Sequence, residues 1–328
     1  MTAIKALAII GLSALLAAPS AGLSQTTGRV LRVALLDDAS EKARADSWHV
    51  FRARLRELGY SEGKNLIIET RYAGGSVERL PALAAELVAL KPEVIVVPAT
   101  PATRAVMKAT SSIPIVFIGI GDPVALGVVA SLARPGGNAT GTSIISTELG
   151  AKWVEILREI APTAKRVAYI ADTSSEGSLL AFKRVEEHAR TLNVTVQLFG
   201  GRQRQQLERS LEAVAQGRFA GLIVHSSAVL LAHREQIVQF AAQQKLPAVY
   251  GRRDYADAGG LLSYSVDIGI MYRRSADYVD RIAKGAKPAE LPVERPDTVR
   301  MVLNLKTARA QGINIPPSIR HRADELID

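Results

Sequence analysis

Short, nearly unbroken apolar runs alternate along the chain with longer stretches whose apolar residues recur every three or four positions. Leu31–Asp37 (LRVALLD) is the first such run and ends in acid. Over 47–58, Val50, Phe51, Leu55 and Leu58 fall at helical spacing, and Gly59 supplies a stop. A strand is predicted over 66–70 and a helix over 80–90, with Leu83, Leu87 and Leu90 on one face. Strand 93–97 (EVIVV), helix 103–109 and strand 115–118 follow. The pattern then restarts, with strands at 166–170, 194–198, 221–224 and 248–250 separated by helices at 179–192, 207–215 and 231–244. Strands this apolar, between amphipathic helices, belong in a parallel sheet covered on both faces.

The second series repeats the first. Arg32-Val33-Ala34-Leu35-Leu36-Asp37-Asp38-Ala39-Ser40 aligns with Arg166-Val167-Ala168-Tyr169-Ile170-Ala171-Asp172-Thr173-Ser174. Val96-Val97-Pro98-Ala99-Thr100 falls opposite Ile223-Val224-His225-Ser226-Ser227, and Ile113-Pro114-Ile115-Val116-Phe117-Ile118-Gly119 opposite Leu246-Pro247-Ala248-Val249-Tyr250-Gly251. Three matches in one order predict an α/β protein of two similar doubly wound parallel-sheet lobes. Beyond them come a helix over 271–284, a stretch marked by Pro288, Pro292 and Pro296, and a last strand over 299–303. By analogy with two-lobed binding folds, that helix is assigned to the first lobe and the strand to the second. The chain then crosses three times, at 142–147, 263–267 and 291–297. The expected organisation is residues 26–143 with 266–292 in the first lobe, and 144–265 with 293–328 in the second.

Residues 1–25 read as a cleaved export signal. Lys5 precedes the run 6–18, and small residues Ser20, Ala21, Gly22 and Ser24 follow it. Spanning a bilayer takes about 20 apolar residues, and this run is shorter. The expected product is periplasmic, without a lipid anchor, because the 328 residues include no cysteine. That absence also excludes disulfides, thiolate metal sites and a cysteine nucleophile. The formal net charge of +9 is spread along the chain. Aromatics do not interleave with the Arg184, Arg190, Arg202, Arg204 and Arg209 stretches, which argues against nucleic-acid binding.

Ligands of open parallel sheets bind outside the carboxyl ends of the strands. In the first series these ends carry Asp37, Asp38 and Ser40, then 98–102 (PATPA), then Gly119, Gly121 and Asp122. The second offers Asp172, Ser174 and Ser175, then His225, Ser226 and Ser227, then Gly251 and Arg252. Helix starts bearing hydroxyls suit a carboxylate, and Asp38, Asp122 or Asp172 suits an ammonium, so the set fits a zwitterion. Each of these residue types is also an ordinary helix N-cap. Of the five histidines only His225 sits at a strand end, and none has metal-binding helical spacing. Neither a nucleophile elbow nor a phosphate loop is present, so no catalytic residue, metal or cofactor is expected. Trp48 and Trp153 are expected in the core or partly in it.

Over nearly the whole mature chain the sequence resembles the ABC-transporter solute-binding proteins of the group with tryptophan- and tyrosine-binding members. The resemblance rests on 51–63 (FRARLRELGYSEG), 83–97, the PATPA run, Asp122-Pro123, 131–141 (SLARPGGNATG) and Lys152-Trp153. It continues in 246–250, 259–264 (GGLLSY), 278–287 (YVDRIAKGAK) and 303–308. His225-Ser226-Ser227 departs from the Asp, Pro or Asn often found there. The resemblance implies a type I periplasmic-binding fold and capture of a small solute between hinged lobes. The expected ligand-binding residues are Asp38, Ser40, Ala99, Thr100, Asp122, Asp172, Ser174, Ser226, Ser227 and Tyr264. The expected partners are a small-molecule solute, with an amino acid or related carboxylated compound as the candidate, and an ABC permease of the inner membrane, with the receptor a monomer. A ligand-sensing partner of a membrane receptor and an exported α/β enzyme are the alternatives.

Overall fold

The structure, a computed structural model, describes residues 30–144, 146–295 and 298–328; the expected signal, residues 1–25, lies outside them. Strands β1 (Leu31–Asp37), β2 (Leu66–Tyr72), β3 (Val94–Pro98), β4 (Ile115–Ile120) and β5 (Ala139–Ser143) form a parallel sheet in the order β2-β1-β3-β4-β5. A second sheet contains β6 (Arg166–Ala171), β7 (Thr195–Gly200), β8 (Leu222–Val224), β9 (Ala248–Tyr250), β10 (Leu262–Val266), β11 (Val299–Asn304) and β12 (Glu325–Ile327). Its order, β12-β11-β10-β9-β8-β6-β7, repeats the first sheet when read inward from β7. The internal alignment in the sequence therefore corresponds to a shared topology, and the fold is the two-lobed α/β arrangement expected. Two strands, β11 and its parallel neighbour β12, depart from the all-parallel pattern. β11 runs antiparallel to β10, because the chain leaves β10 at its carboxyl end and re-enters the sheet from that same end.

The first lobe is covered by α1 (Glu41–Glu57), α2 (Leu80–Ala89), α3 (Thr100–Ala109) and α10 (Ile268–Ala283). The second carries α4 (Ser146–Ile160), α5 (Glu176–Thr191), α6 (Arg204–Gln216), α7 (Ala228–Ala232), α8 (Arg234–Gln243), α9 (Arg253–Asp257), α11 (Leu305–Gln311) and α12 (Pro317–Arg322). Helix α1 begins well before the apolar periodicity does, because Ser40 caps it by accepting from the Ala43 amide at 3.4 Å. The single helix expected over 231–244 is two helices that meet at His233.

Alternate residues of β1 feed different layers. Val33 and Leu35 join the core under α1 and α10, while Ala34 and Leu36 join the core under α2 and α3. The first of these cores continues into the second lobe through Leu149, Trp153 and Tyr169. A separate core under α6 and α8 contains Ile170, Leu207, Leu222 and Ile237. Helix α10 packs on α1, β4 and β5, far from its sequence neighbours. At the crossings, Glu294 accepts from Ser143 at 2.9 Å and donates to Gly141 at 3.1 Å, so the first and third connections run side by side. Gly141 is needed here, since a Cβ would lie 1.9 Å from the Phe117 carbonyl oxygen.

Candidate functional site

In the order 2-1-3 the strand sequence reverses between β1 and β3, and in the second sheet between β6 and β8. These switch points open a crevice at the carboxyl ends of the strands. The two crevices face each other and enclose one cleft, with a cavity volume of about 120 Å³. The first lobe contributes Asp38, Arg44, Ala99, Thr100 and Tyr272, and the second Asp172, Ser175, His225, Ser226, Ser227 and Arg252. Ile118, Ile144, Trp153, Ala181 and Met271 supply apolar walls. A second cavity, of about 400 Å³, opens on the hinge side and shares Arg252, Val266 and Ile268 with the cleft. Among its charged walls Arg253 pairs with Asp257 and Arg300 with Asp267.

The lobes are closed on each other. Arg104 on α3 pairs with Glu176 on α5 at 2.8 Å, and Arg202 pairs with Glu78. Gly177 approaches Thr100 so closely that a Cβ there would sit 2.5 Å from the Thr100 Oγ1.

At the end of β1 the buried charges are organised around Arg44. Its Nε and Nη2 lie 3.3 Å from Asp37 Oδ1 and 3.3 Å from Asp38 Oδ1 respectively. Asp37 also accepts from the Trp48 indole at 2.8 Å and from the Ala39 amide at 2.8 Å. Burial pushes the Asp38 carboxyl up to about 7, against the opposing pull of Arg44. In the second lobe, one oxygen of Asp172 takes both the amide and the hydroxyl of Ser174, at 2.9 and 2.6 Å. Its other oxygen has no donor among the described residues. Burial pushes His225 down to about 4, so a neutral ring sits 3.3 Å from the Ser178 hydroxyl and edge-on to Trp153.

Asp38, Ala99, Thr100, Asp172, Ser226 and Ser227 thus meet in the cleft as the sequence suggests. Four candidates do not. Ser40 is exposed and caps α1, and Asp122 spends its carboxylate on the Ala125 amide at 2.9 Å. Ser174 holds Asp172 and lines a shallow pocket outside the cleft. The Tyr264 ring packs against the core, while its carbonyl accepts from Trp153 Nε1 at 2.8 Å. Trp48 is fully buried, and Trp153 is buried but borders the cleft.

Sequence reasoning gave Arg252 no role and passed over Arg44 and Tyr272, which lie inside helices. A signal for Arg44 existed. The buried stripe of α1 is Arg44, Trp48, Phe51 and Leu55, so a charge occupies a position where the helical period demands an apolar residue.

Two similar lobes closing over a cleft of mixed hydroxyl, carboxylate and guanidinium groups define a solute-binding protein. The chain matches the family model described as ABC transporter substrate binding protein over residues 32–327, and belongs to that family. A curated relative, the tyrosine-binding protein of Clostridioides difficile (strain R20291), is 24% identical over 257 residues, 78% of this chain and 73% of the relative. A conserved domain protein from Vibrio cholerae superposes with a TM-score of 0.86 at 26% identity, over 91% of this chain and 100% of that one. An ABC domain in complex with L-Trp from Streptococcus pneumonia gives 0.84 at 23% identity over 91% and 100%. A ligand-free, open substrate-binding protein with adhesive properties from Clostridium difficile gives 0.65 at 21% over 91% and 99%. The family is one of solute-binding proteins, not enzymes, and its members usually work outside the cytoplasm.

Proposed function

We propose that the protein is the exported, monomeric receptor of an ABC importer, released into the periplasm after loss of residues 1–25. It captures a small carboxylated solute, such as an amino acid, and presents it to an inner-membrane permease. The observation that carries this reading is the pair of matched switch-point crevices enclosing a single cleft. Asp38, Thr100, Asp172, Ser226 and Ser227 contact the solute. The relatives named for tyrosine and for L-Trp support an amino acid.

Closure is a shift of population: a ligand that touches both lobes binds the closed form better and stabilises it by that difference. The lobes, residues 26–143 with 266–292 and 144–265 with 293–328, swing about the three crossings, two of which are tied through Glu294. Native mass spectrometry of gently purified protein tests the reading. One released amino acid or small acid at a 1:1 ratio is expected. A protein that carries nothing, and gains no thermal stability from any member of a metabolite panel, would overturn it.

A further inference from the structure

Tyr272 on α10 is 1% exposed and lines the cleft, yet its hydroxyl has no hydrogen-bond partner among the described residues. Leaving a buried hydroxyl unpaired is costly, so such a group calls for a ligand atom. Burial pushes its phenol upward, so it remains a donor. Arg44 with its partners Asp37 and Asp38, on its own lobe, and Arg252, from the opposite lobe, lie within electrostatic reach of that hydroxyl. Arg252 is 7% exposed; its Nε binds Asp254 at 2.8 Å, and its two Nη groups have no partner among the described residues. The neighbouring carboxylates are committed, Asp254 to Arg252 and Asp37 with Asp38 to Arg44. The Tyr272 hydroxyl and the Arg252 Nη groups, one set from each lobe, therefore border the cleft as donors with no hydrogen-bonded acceptor among the described residues.

The strand end that carries Arg252 is remote from the one that carries Asp172. Asp172 follows β6 and Arg252 follows β9, with β8 between them. Two strand spacings separate those strand ends by roughly 10 Å. The ammonium and α-carboxylate of an amino acid stand much closer together than that backbone spacing, so a solute with a second, remote charged group matches the two poles better than an α-amino-acid head alone.

We propose that the Arg252–Tyr272–Arg44 corner binds a carboxylate at the far end of the ligand, making the solute an amino acid with an acidic side chain whose ammonium sits at Asp172. The inference rests on the receptor reading above and narrows its substrate class. The forked guanidinium of Arg252 presents two parallel donors to such a group, and the Tyr272 hydroxyl adds a third.

The test is calorimetric titration of the full mature protein, stripped of solute under denaturant and refolded, with L-glutamate, L-2-aminoadipate, L-glutamine, L-tyrosine and L-tryptophan. An acidic member is expected to bind at least about tenfold more tightly than the amide. Arg252→Gln should weaken the acid by about tenfold or more and erase its advantage over the amide. Tyr272→Phe should weaken it by about fivefold. It should not lower the melting temperature of the ligand-free protein, because the hydroxyl has no protein partner to lose. Tighter binding of tyrosine or tryptophan than of both acids, or acid affinity within twofold in both variants, overturns the subsite. A co-purified solute without a remote carboxylate overturns it too and leaves the receptor reading standing. Failure of the whole panel, with no co-purified solute, overturns both.

Discussion

Gly177 is where closure of the two lobes can be perturbed without touching either core. It is the second residue of α5, and its Cα faces Thr100 across the cleft. An added Cβ would lie 2.5 Å from Thr100 Oγ1 and 3.4 Å from Thr100 Cβ, the first well inside van der Waals contact. In the open form this clash is absent, and alanine favours the helix over glycine by about 0.5–1 kcal/mol. The penalty therefore falls on the closed form alone. Overpacking by one methyl costs about 1–3 kcal/mol, and a hydroxyl that can rotate away places this case at about 1–2 kcal/mol. Gly177→Ala should then raise the apparent Kd for the bound solute by about 5–30-fold. Isothermal calorimetry gives the affinity, small-angle scattering the lobe separation with saturating solute, and a thermal melt without solute the intact fold. Comparing Gly177→Ala with and without Thr100→Ala isolates the contact, because truncating Thr100 restores clearance. A Gly177→Ala affinity within twofold of the parent, at full stability, would refute the seam as the place where closure is decided.

Two further perturbations act on the first lobe. Folding raises the Asp38 carboxyl from the usual range to about 7, so the folded chain binds the extra proton and stability falls as pH rises from about 4 to 7. Asp38→Asn should flatten this part of the profile and raise the denaturant midpoint at pH 8 relative to the parent; an unchanged slope would show that Arg44 keeps Asp38 ionised throughout. Ala99 sits at φ 57° and ψ 168°, a region that only glycine enters without strain, and is pinned there by Ile118 and Thr103. Ala99→Gly should stabilise the protein by about 1 kcal/mol, the relief of strain outweighing the added chain entropy. A lower thermal midpoint would contradict this.

The central strands β1, β3 and β9 were legible because they are apolar and buried on both faces, and β1 and β9 fall where the apolar runs put them. Helix starts were less so. The first residues of α1 and α3 are set by Ser40 and by the Ala99-Thr100-Pro101 turn, which carry no apolar period. β5 (ATGTS) escaped notice because its residues are small and polar, suited to close packing against β4 rather than to a conspicuous apolar run. At the site, the rule that strand ends face the ligand found Asp38, Thr100, Asp172 and Ser226. It also gathered Ser40 and Asp122, whose side chains serve as caps, since an N-cap and a ligand contact use the same residue types at the same place. It looked past Arg44 and Tyr272, which reach the cleft from helices. Only the packing of α10 on α1 brings those two together.

That packing also sets an order of events during folding. One face of the first sheet is sealed by α10, through Met271, Tyr272 and Val279 against Trp48 and Phe51, and Arg54 meets Asp277 across 223 residues of chain. Until residue 283 has emerged, that face has α1 but not α10 as cover, and the indole of Trp48 has no ring of Tyr272 to rest on. The first lobe begun is therefore among the last parts completed, and loop closure over so long a span makes its final docking slow. A nascent chain halted before residue 268 would hold its early strands in a loose, apolar-exposed state, available to a chaperone before the native lobe can close.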